Sequence, residues 1–121
     1  MRQFDHEKLN VYQTAITFVA WSSDLLTEIP KNMAVHNQFD RASTSIPLNI
    51  AEGNGKYTSA DRCRFFDTAR GSALECAACL DVLVAKRVTE KSVADDGKRF
   101  LLEIVSMLVG LIRSNSPSRD V

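Results

Sequence analysis

Proline and glycine are scarce in this chain, and neither sign of charge is in excess. The 121 residues include 5 Gly and 3 Pro, too few for a β-rich or a disordered protein. Lys and Arg together number 15, as do Asp and Glu, so the formal net charge is +0. Proteins that bind phosphate backbones through overall charge are strongly basic, so this balance argues against that class and leaves a local basic cluster to consider.

The chain also lacks a long apolar run. Its most apolar stretch, 100–112, is interrupted by Glu103 and Ser106 and falls short of the ~20 apolar residues that a membrane span needs. Residues 1–7 lack the apolar core of a signal peptide. Three cysteines, an odd number, fit a reducing compartment better than a disulfide scaffold. We therefore expect a cytoplasmic protein with no membrane partner.

Apolar residues recur at helical spacing along most of the chain. They predict helices over about 5–28, 33–54 and 59–87, and a fourth that opens at Thr89 or Ser92 and ends near residue 114. Thr58 or Ser59 can cap the third helix, and 53–55 can end the second in left-handed geometry. The short connections predict one all-α domain over 1–114, an antiparallel up-and-down four-helix bundle, followed by a disordered tail over 115–121. The predicted inner face of the first helix contains Leu9, Tyr12, Ile16, Val19 and Leu26.

The third and fourth helices carry more apolar residues than one bundle face needs. One stripe of the third helix contains Phe66, Ala69, Ala73, Ala77, Leu80 and Val84. A second stripe, rotated by about 100°, contains Phe65, Ser72, Cys76, Cys79 and Leu83. Two apolar faces indicate two partners, the bundle core and another subunit; the alternative is a deeply buried helix pair in a monomer. We expect self-association through a surface that contains Phe65, Cys76, Cys79, Met107 and Leu111.

The sequence offers little catalytic chemistry. Cys76 and Cys79 lie in mid-helix among alanines, without the helix N-terminus that activates a redox pair or the four ligands of a zinc site, so we interpret them as buried small hydrophobes. No Glu is followed by His three residues later, which excludes the usual di-iron motif of a bundle. We therefore expect no enzyme activity, no metal or other cofactor, and no small-molecule substrate.

The best candidates for nucleic-acid contact are Lys56, Arg62, Arg64 and Arg70, at the start of the third helix and just before it. Asp61 and Asp67 are interleaved with them, so the local excess of positive charge is small. The alternative is a solvated helix face with i,i+3 ion pairs such as Asp67 with Arg70.

The second helix carries two unusual residues on its apolar stripe. Pro47 removes a backbone N–H and costs roughly 3 kcal/mol in an ordinary helix interior. Asn49 places an amide on the side expected to face the core, and a buried amide without partners costs about 1–3 kcal/mol. We expect the amide to hydrogen-bond the carbonyls that Pro47 leaves free.

This segment resembles the signature of the bacterial four-helix bundle family called 23S rRNA intervening-sequence proteins. The matching residues are Ser45, Ile46, Pro47, Asn49, Ile50, Ala51, Glu52 and Gly53. The similarity extends to Leu9-x-Val11-Tyr12-Gln13, to Arg64-Phe65-Phe66, to 69–75 and to Leu108-x-Gly110-Leu111. It implies a ring-like homopentamer. Some relatives are accessory proteins of the reverse transcriptases of diversity-generating retroelements, but those are strongly basic and this chain is neutral.

Two functional interpretations remain open. The first is a non-enzymatic, homo-oligomeric scaffold or adaptor that assists an RNA or a nucleic-acid enzyme such as a reverse transcriptase. The second is a protein–protein interaction module that binds no nucleic acid. Salt separates them, because phosphate binding weakens steeply as salt rises and apolar contacts do not.

Overall fold

The computed structural model describes residues 2–116, and this part of the chain is all-α. It contains a 3₁₀ turn at Asp5–Lys8 and four α-helices: α1 (Asn10–Leu26), α2 (Ala34–Asn54), α3 (Ser59–Ala85) and α4 (Lys91–Asn115). The four predicted helices are confirmed. The first is shorter than predicted, because Leu9 is extended, with φ −76° and ψ 129°, and separates α1 from the 3₁₀ turn. Asn115, predicted to begin the tail, is the last residue of α4, and the tail residues 117–121 lie outside the described part.

Side-chain contacts between helices show that consecutive helices run antiparallel. The hydroxyls of Ser45 and Ser72, each mid-helix, join α2 to α3. Cys63 near the start of α3 donates its S–H to the carbonyl of Ile112 near the end of α4, with 3.7 Å between the heavy atoms. The rings of Phe18 in α1 and Phe39 in α2 meet edge to face, with centroids 6.2 Å apart.

Each helix packs against two others. α2 and α4 each pack closely against both α1 and α3, whereas the backbones of α1 and α3 do not approach each other within residues 2–116. α1 and α3 therefore occupy opposite corners of the bundle, and their outer surfaces face away from each other. The large side chains with no solvent exposure form one continuous core, which includes Phe18, Phe39, Phe66, Leu80 and Ile104.

The inner face predicted for α1 is displaced by about one residue, so that Leu9, Tyr12 and Leu26 are half-buried against the core and do not form its centre. The side chains that α1 buries are those of Val11, Ala15, Phe18, Ser22 and Leu25. Ile16, predicted inside, is 45% exposed. Two neighbouring stripes of α1, one residue apart, both have helical periodicity. Residues 9–23 carry no charge, so no charged face shows which stripe is turned to solvent.

The ends of the helices agree only in part with their predicted caps. Thr58 caps α3, since its hydroxyl accepts the N–H of Asp61 at 3.1 Å. The N-cap of α4 is Glu90, which makes no side-chain cap hydrogen bond, so neither Thr89 nor Ser92 fills that role. The left-handed end predicted for α2 is also wrong: Gly55 has φ −85°. Within residues 2–116, positive φ occurs instead just after α3, at Arg87, where φ is 62°.

Two glycines allow close packing between helices. A methyl group at Gly97 would lie 2.6 Å from Cζ3 of Trp21 and 2.9 Å from Cδ1 of Leu80. A methyl group at Gly53 would lie 2.8 Å from Cε1 of Phe66. Contacts under 3.0 Å force a neighbour to move, so both positions favour glycine for its lack of a side chain rather than for its backbone freedom.

Candidate interaction surfaces

The signature segment of α2 packs one side against the core and turns the other toward α3. Ile46, Pro47, Ile50 and Gly53 are buried, and α2 continues through Pro47 without leaving helical geometry. Asn49 is half-buried, and its Nδ2 donates to the carbonyl oxygen and to the hydroxyl oxygen of Ser45, each at 2.9 Å. The carbonyl oxygen that loses its helical partner to Pro47 is that of Ser43, four residues earlier. The amide of Asn49 therefore bonds a different carbonyl from the one expected.

Ser45 lies at the centre of a small polar network between α2 and α3. Its hydroxyl oxygen accepts from Asn49 and also from the hydroxyl of Ser72 at 2.8 Å. The network forms part of the wall of an open groove of about 630 Å³, which Asp40, Arg41 and Glu75 also line. The groove combines hydroxyls, an amide and charges of both signs, and its lining contains no histidine.

Arg62, one of the four predicted nucleic-acid residues, is bound within the bundle. Its NH1 donates to the carbonyl oxygen of Asn54 at 2.7 Å and to that of Lys56 at 3.3 Å. Its Nε donates to Oδ1 of Asn115 at 2.9 Å. The guanidinium thus lies at the C-terminal ends of α2 and α4, where a cation offsets the partial negative charge of the helix termini. A side chain held this way is poorly placed to contact phosphate.

Of the other three cations, Arg64 is exposed, whereas Lys56 and Arg70 are half-buried. Lys56 lies 3.8 Å from a carboxylate oxygen of Glu52, and Arg64 lies 3.7 Å from one of Asp61. Both cations also lie over the ring of Phe65, at 5.1 and 4.7 Å from its centroid. Arg70 is half-buried, and its Nε is buried with no hydrogen-bond partner among residues 2–116.

The predicted oligomer contacts fall into two groups. Cys76 is fully buried and Cys79 is 6% exposed, so within one chain they belong to the core and leave no surface for a second subunit. The apolar stripe that suggested a second partner is covered because α2 and α4 flank α3 from two sides. Phe65 is half-buried beneath Lys56 and Arg64. Met107 and Leu111, in contrast, line an open groove between α1 and α4.

Burial raises the pKa of two cysteine thiols, those of Cys76 and Cys79. It raises the pKa of the Cys76 thiol strongly, with a smaller contribution from Cys79 and Glu75. Burial, followed by the nearby Glu75 charge, also raises the pKa of Cys79. All three cysteines are free. A thiol whose pKa is raised carries little thiolate near neutral pH, and thiolate is the form that attacks substrates and binds metals.

The sequence reading missed the outer surface of α1. This helix has no charged residue from Leu9 to Ser23, although an outer bundle helix usually carries a charged face. Beside it, a groove of about 490 Å³ between α1 and α4 is lined by Thr14, Leu102, Glu103, Ser106 and Met107. We call this surface the α1–α4 face: Gln13, Thr14, Thr17 and Ala20 of α1 with Leu102, Glu103, Ser106, Met107 and Leu111 of α4. The absence of charge over four turns was the signal that could have found it.

Two further features concern what the described residues do not contain. In residues 2–116, no three His, Cys, Asp or Glu side chains come together as a metal site would require. Over the same range, none of the helices combines the length and the hydropathy needed to cross a bilayer.

The fold and the sequence both resemble known proteins. A crystal structure of a protein of unknown function from the S23 ribosomal protein family of Bacteroides thetaiotaomicron superposes with a TM-score of 0.80 and 22% identity, over 85% of this chain and 98% of that one. This similarity supports the four-helix fold. No curated protein matches the chain at a significant level. The family model for the 23S rRNA-intervening sequence protein matches residues 7–110, which include the signature segment and parts of all four helices. The chain therefore belongs to the 23S rRNA-intervening sequence protein family.

Proposed function

We propose that this protein is a non-enzymatic scaffold that self-associates through the α1–α4 face. The observation that carries the proposal is the uncharged outer surface of α1, from Leu9 to Ser23, on a helix at one corner of the bundle. Subunit interfaces are depleted in charge at their centres, because a charge that loses water there must find a partner. A solvent-facing helix has no such constraint.

Apolar exposure on the same face supports the proposal. Leu102, which lines the groove between α1 and α4, is 71% exposed. Met107 and Leu111 are half-buried in the groove between α1 and α4. Gly110 in the same groove has no neighbour within 4 Å of where a Cβ would lie. Exposed aliphatic side chains beside open, glycine-lined space are typical of a surface that another chain covers.

The subunit number comes from the family resemblance, which implies a ring of five. The zero net charge is compatible with such an assembly, since like copies that carry no excess charge repel each other little. The three free cysteines fit a reducing, cytoplasmic setting.

Of the two partner classes, the protein-interaction module has the better support. Arg62 is committed to hydrogen bonds inside the bundle, and Lys56 and Arg64 each lie beside a carboxylate. What supports the RNA-assisting alternative is Tyr57, which is fully exposed next to Lys56 and could stack on an unpaired base. Repetition around a ring would strengthen such weak contacts through multivalency.

Light scattering coupled to size exclusion tests the assembly. We expect the wild-type chain to elute at a multiple of 13.5 kDa, near five copies if the family's ring applies. Ala20→Glu should shift the mass to one copy, because it places a charge at the centre of the α1–α4 face. Ala60→Glu adds the same charge at an exposed position at the start of α3 and should leave the mass unchanged. A monomeric wild type, or equal effects of both variants, would refute self-association through this face.

The absorbance ratio at 260 and 280 nm on the same peak separates the partner classes. A ratio raised at low salt and lost at high salt supports nucleic-acid binding. A protein-like ratio at both salt concentrations supports the protein-interaction module.

A further inference from the structure

A second groove, on the opposite side of α4 from α1, is almost wholly apolar. It has a volume of about 240 Å³, and α3 lines it with Ala73, Leu74 and Ala77. α4 contributes Leu101, Leu102 and Val105. Leu74 is 54% exposed and stands on the rim of the groove. We call this depression the α3–α4 groove.

A cation lies near each end of the α3–α4 groove, and the one at the Lys98 end is already paired with a carboxylate. Lys98 lines one end, where its Nζ also hydrogen-bonds the carboxylate of Asp81. Arg70 lies at the other end: it precedes Ala73 by three residues and Leu74 by four, so the three share one side of α3. The Nε of Arg70 is buried and lacks a hydrogen-bond acceptor within residues 2–116. The buried Nε is out of a partner's reach, but the guanidinium of this half-buried residue is complementary to a carboxylate brought by a binding partner.

The shape of the groove fits a helix. Two packed helices present ridges of side chains and no strand edge, so an extended peptide would find no backbone donors or acceptors to pair with. Along α3, the distance from Arg70 to Asp81 corresponds to about 16 Å, or roughly three helical turns. The two alanines on the α3 side let a partner helix approach closely, while Leu74 and Leu102 can pack on either side of it.

We propose that the α3–α4 groove binds an amphipathic helix of a partner protein, with bulky apolar side chains on one face and a carboxylate that pairs with Arg70. The apolar floor offers nothing to a phosphate backbone, and Arg70 at one end selects against a basic side chain there. This surface is separate from the α1–α4 face, although Leu102 on the ridge of α4 borders both. The proposal goes beyond self-association and does not require it.

Binding of a defined probe tests the proposal. The probe is a fluorescein-labelled 18-residue helical peptide with leucines at i, i+4, i+7 and i+11, and with glutamate at both ends of that face. A second peptide carries glutamine in place of both glutamates. Fluorescence anisotropy with the full chain measures both affinities. We expect Leu74→Asp to weaken the acidic peptide at least about tenfold, because it places a charge in the apolar groove. Leu48→Asp, a matched change at a 60% exposed leucine of α2, should have no effect.

Arg70→Gln provides the specific readout. We expect it to weaken the acidic peptide about tenfold and the glutamine peptide less than about twofold, since only the former loses a charge pair. Circular dichroism of each variant confirms that the fold is retained.

Three outcomes would overturn the proposal. One is the absence of binding of the acidic peptide up to about 1 mM. Another is equal loss of both peptides on Arg70→Gln, which would indicate packing rather than charge recognition. The third is a drop of Leu74→Asp to monomer mass in light scattering, which would show that a second copy of the chain occupies the groove. Ala20→Glu changes only the α1–α4 face, so it should keep peptide binding whether or not self-association exists.

Discussion

At the scale of single residues, Arg87 has an unfavourable backbone conformation. Its φ of 62° lies in the left-handed region, which costs most non-glycine residues about 1 kcal/mol. The conformation persists because it ends α3 in a hydrogen-bonded turn, in which the N–H of Val88 donates to the carbonyl of Leu83 at 2.9 Å. Arg87 thus occupies the position where helices most often place glycine.

We expect Arg87→Gly to stabilise the protein by about 0.5–1 kcal/mol, since glycine adopts positive φ without steric cost. Urea unfolding followed by circular dichroism measures the change. Lys86→Gly is the matched control: Lys86 has φ −83°, where glycine gains nothing and adds entropy to the unfolded chain. A loss of stability at both positions would contradict the strain assigned to Arg87.

At the scale of helices, Arg62 connects three elements. It belongs to α3. Its guanidinium donates to the backbone carbonyl of Asn54 at the end of α2 and to the side-chain oxygen of Asn115 at the end of α4. Asn115 is held in turn, since its Nδ2 donates to the carbonyl of Leu111 at 2.8 Å. One guanidinium therefore fixes how the α2–α3 connection meets the last turn of α4.

Arg62→Met should destabilise the protein by about 2–3 kcal/mol, because it removes charge-assisted hydrogen bonds and the guanidinium that lies over the ring of Phe66. Arg64→Met, two residues later and exposed, should change stability by less than about 0.5 kcal/mol. Denaturant midpoints of the two variants give the comparison. Equal effects would mean that Arg62 acts only as a surface charge.

The helices could be predicted from the sequence, whereas the hydrogen bonds of Arg62 and Asn49 could not. The lengths of α2, α3 and α4 follow from long apolar periods bounded by Thr58, Pro30 and the glycines, so they could be predicted. Whether a cation near Asp61 is free for phosphate or bound inside depends on contacts with Asn54 and Asn115, which lie far apart in the sequence. The signature segment could be recognised, but the carbonyl that Asn49 bonds depends on helix geometry around Pro47.

At the scale of the whole molecule, Gly97 lies where three helices converge. It is buried in α4 between Trp21 of α1 and Leu80 of α3. Side chains from α1 and α3 therefore meet α4 at one point, which leaves no room for a side chain at Gly97.

We expect Gly97→Ala to destabilise the protein by about 1–2 kcal/mol, because the overpacking penalty exceeds the gain in helix propensity. Trp21 is the one tryptophan of the chain, so its fluorescence emission reports both unfolding and any displacement of the ring. Gly71→Ala, where a Cβ would meet nothing within 4 Å, should instead gain about 0.5–1 kcal/mol. An unshifted emission together with a gain at Gly97 would show that the junction has spare room.

The connectivity of the bundle has a consequence for the order of folding. Three of its four helix–helix contacts join consecutive helices across short connections, and only the contact of α1 with α4 joins the two ends of the chain. Contacts between consecutive helices form at small entropic cost, whereas the contact of α1 with α4 requires the whole chain. During synthesis, α1, α2 and α3 can therefore pack while α4 is still incomplete. For that interval the nascent chain exposes apolar side chains of α1 and α3 that the finished bundle covers with α4.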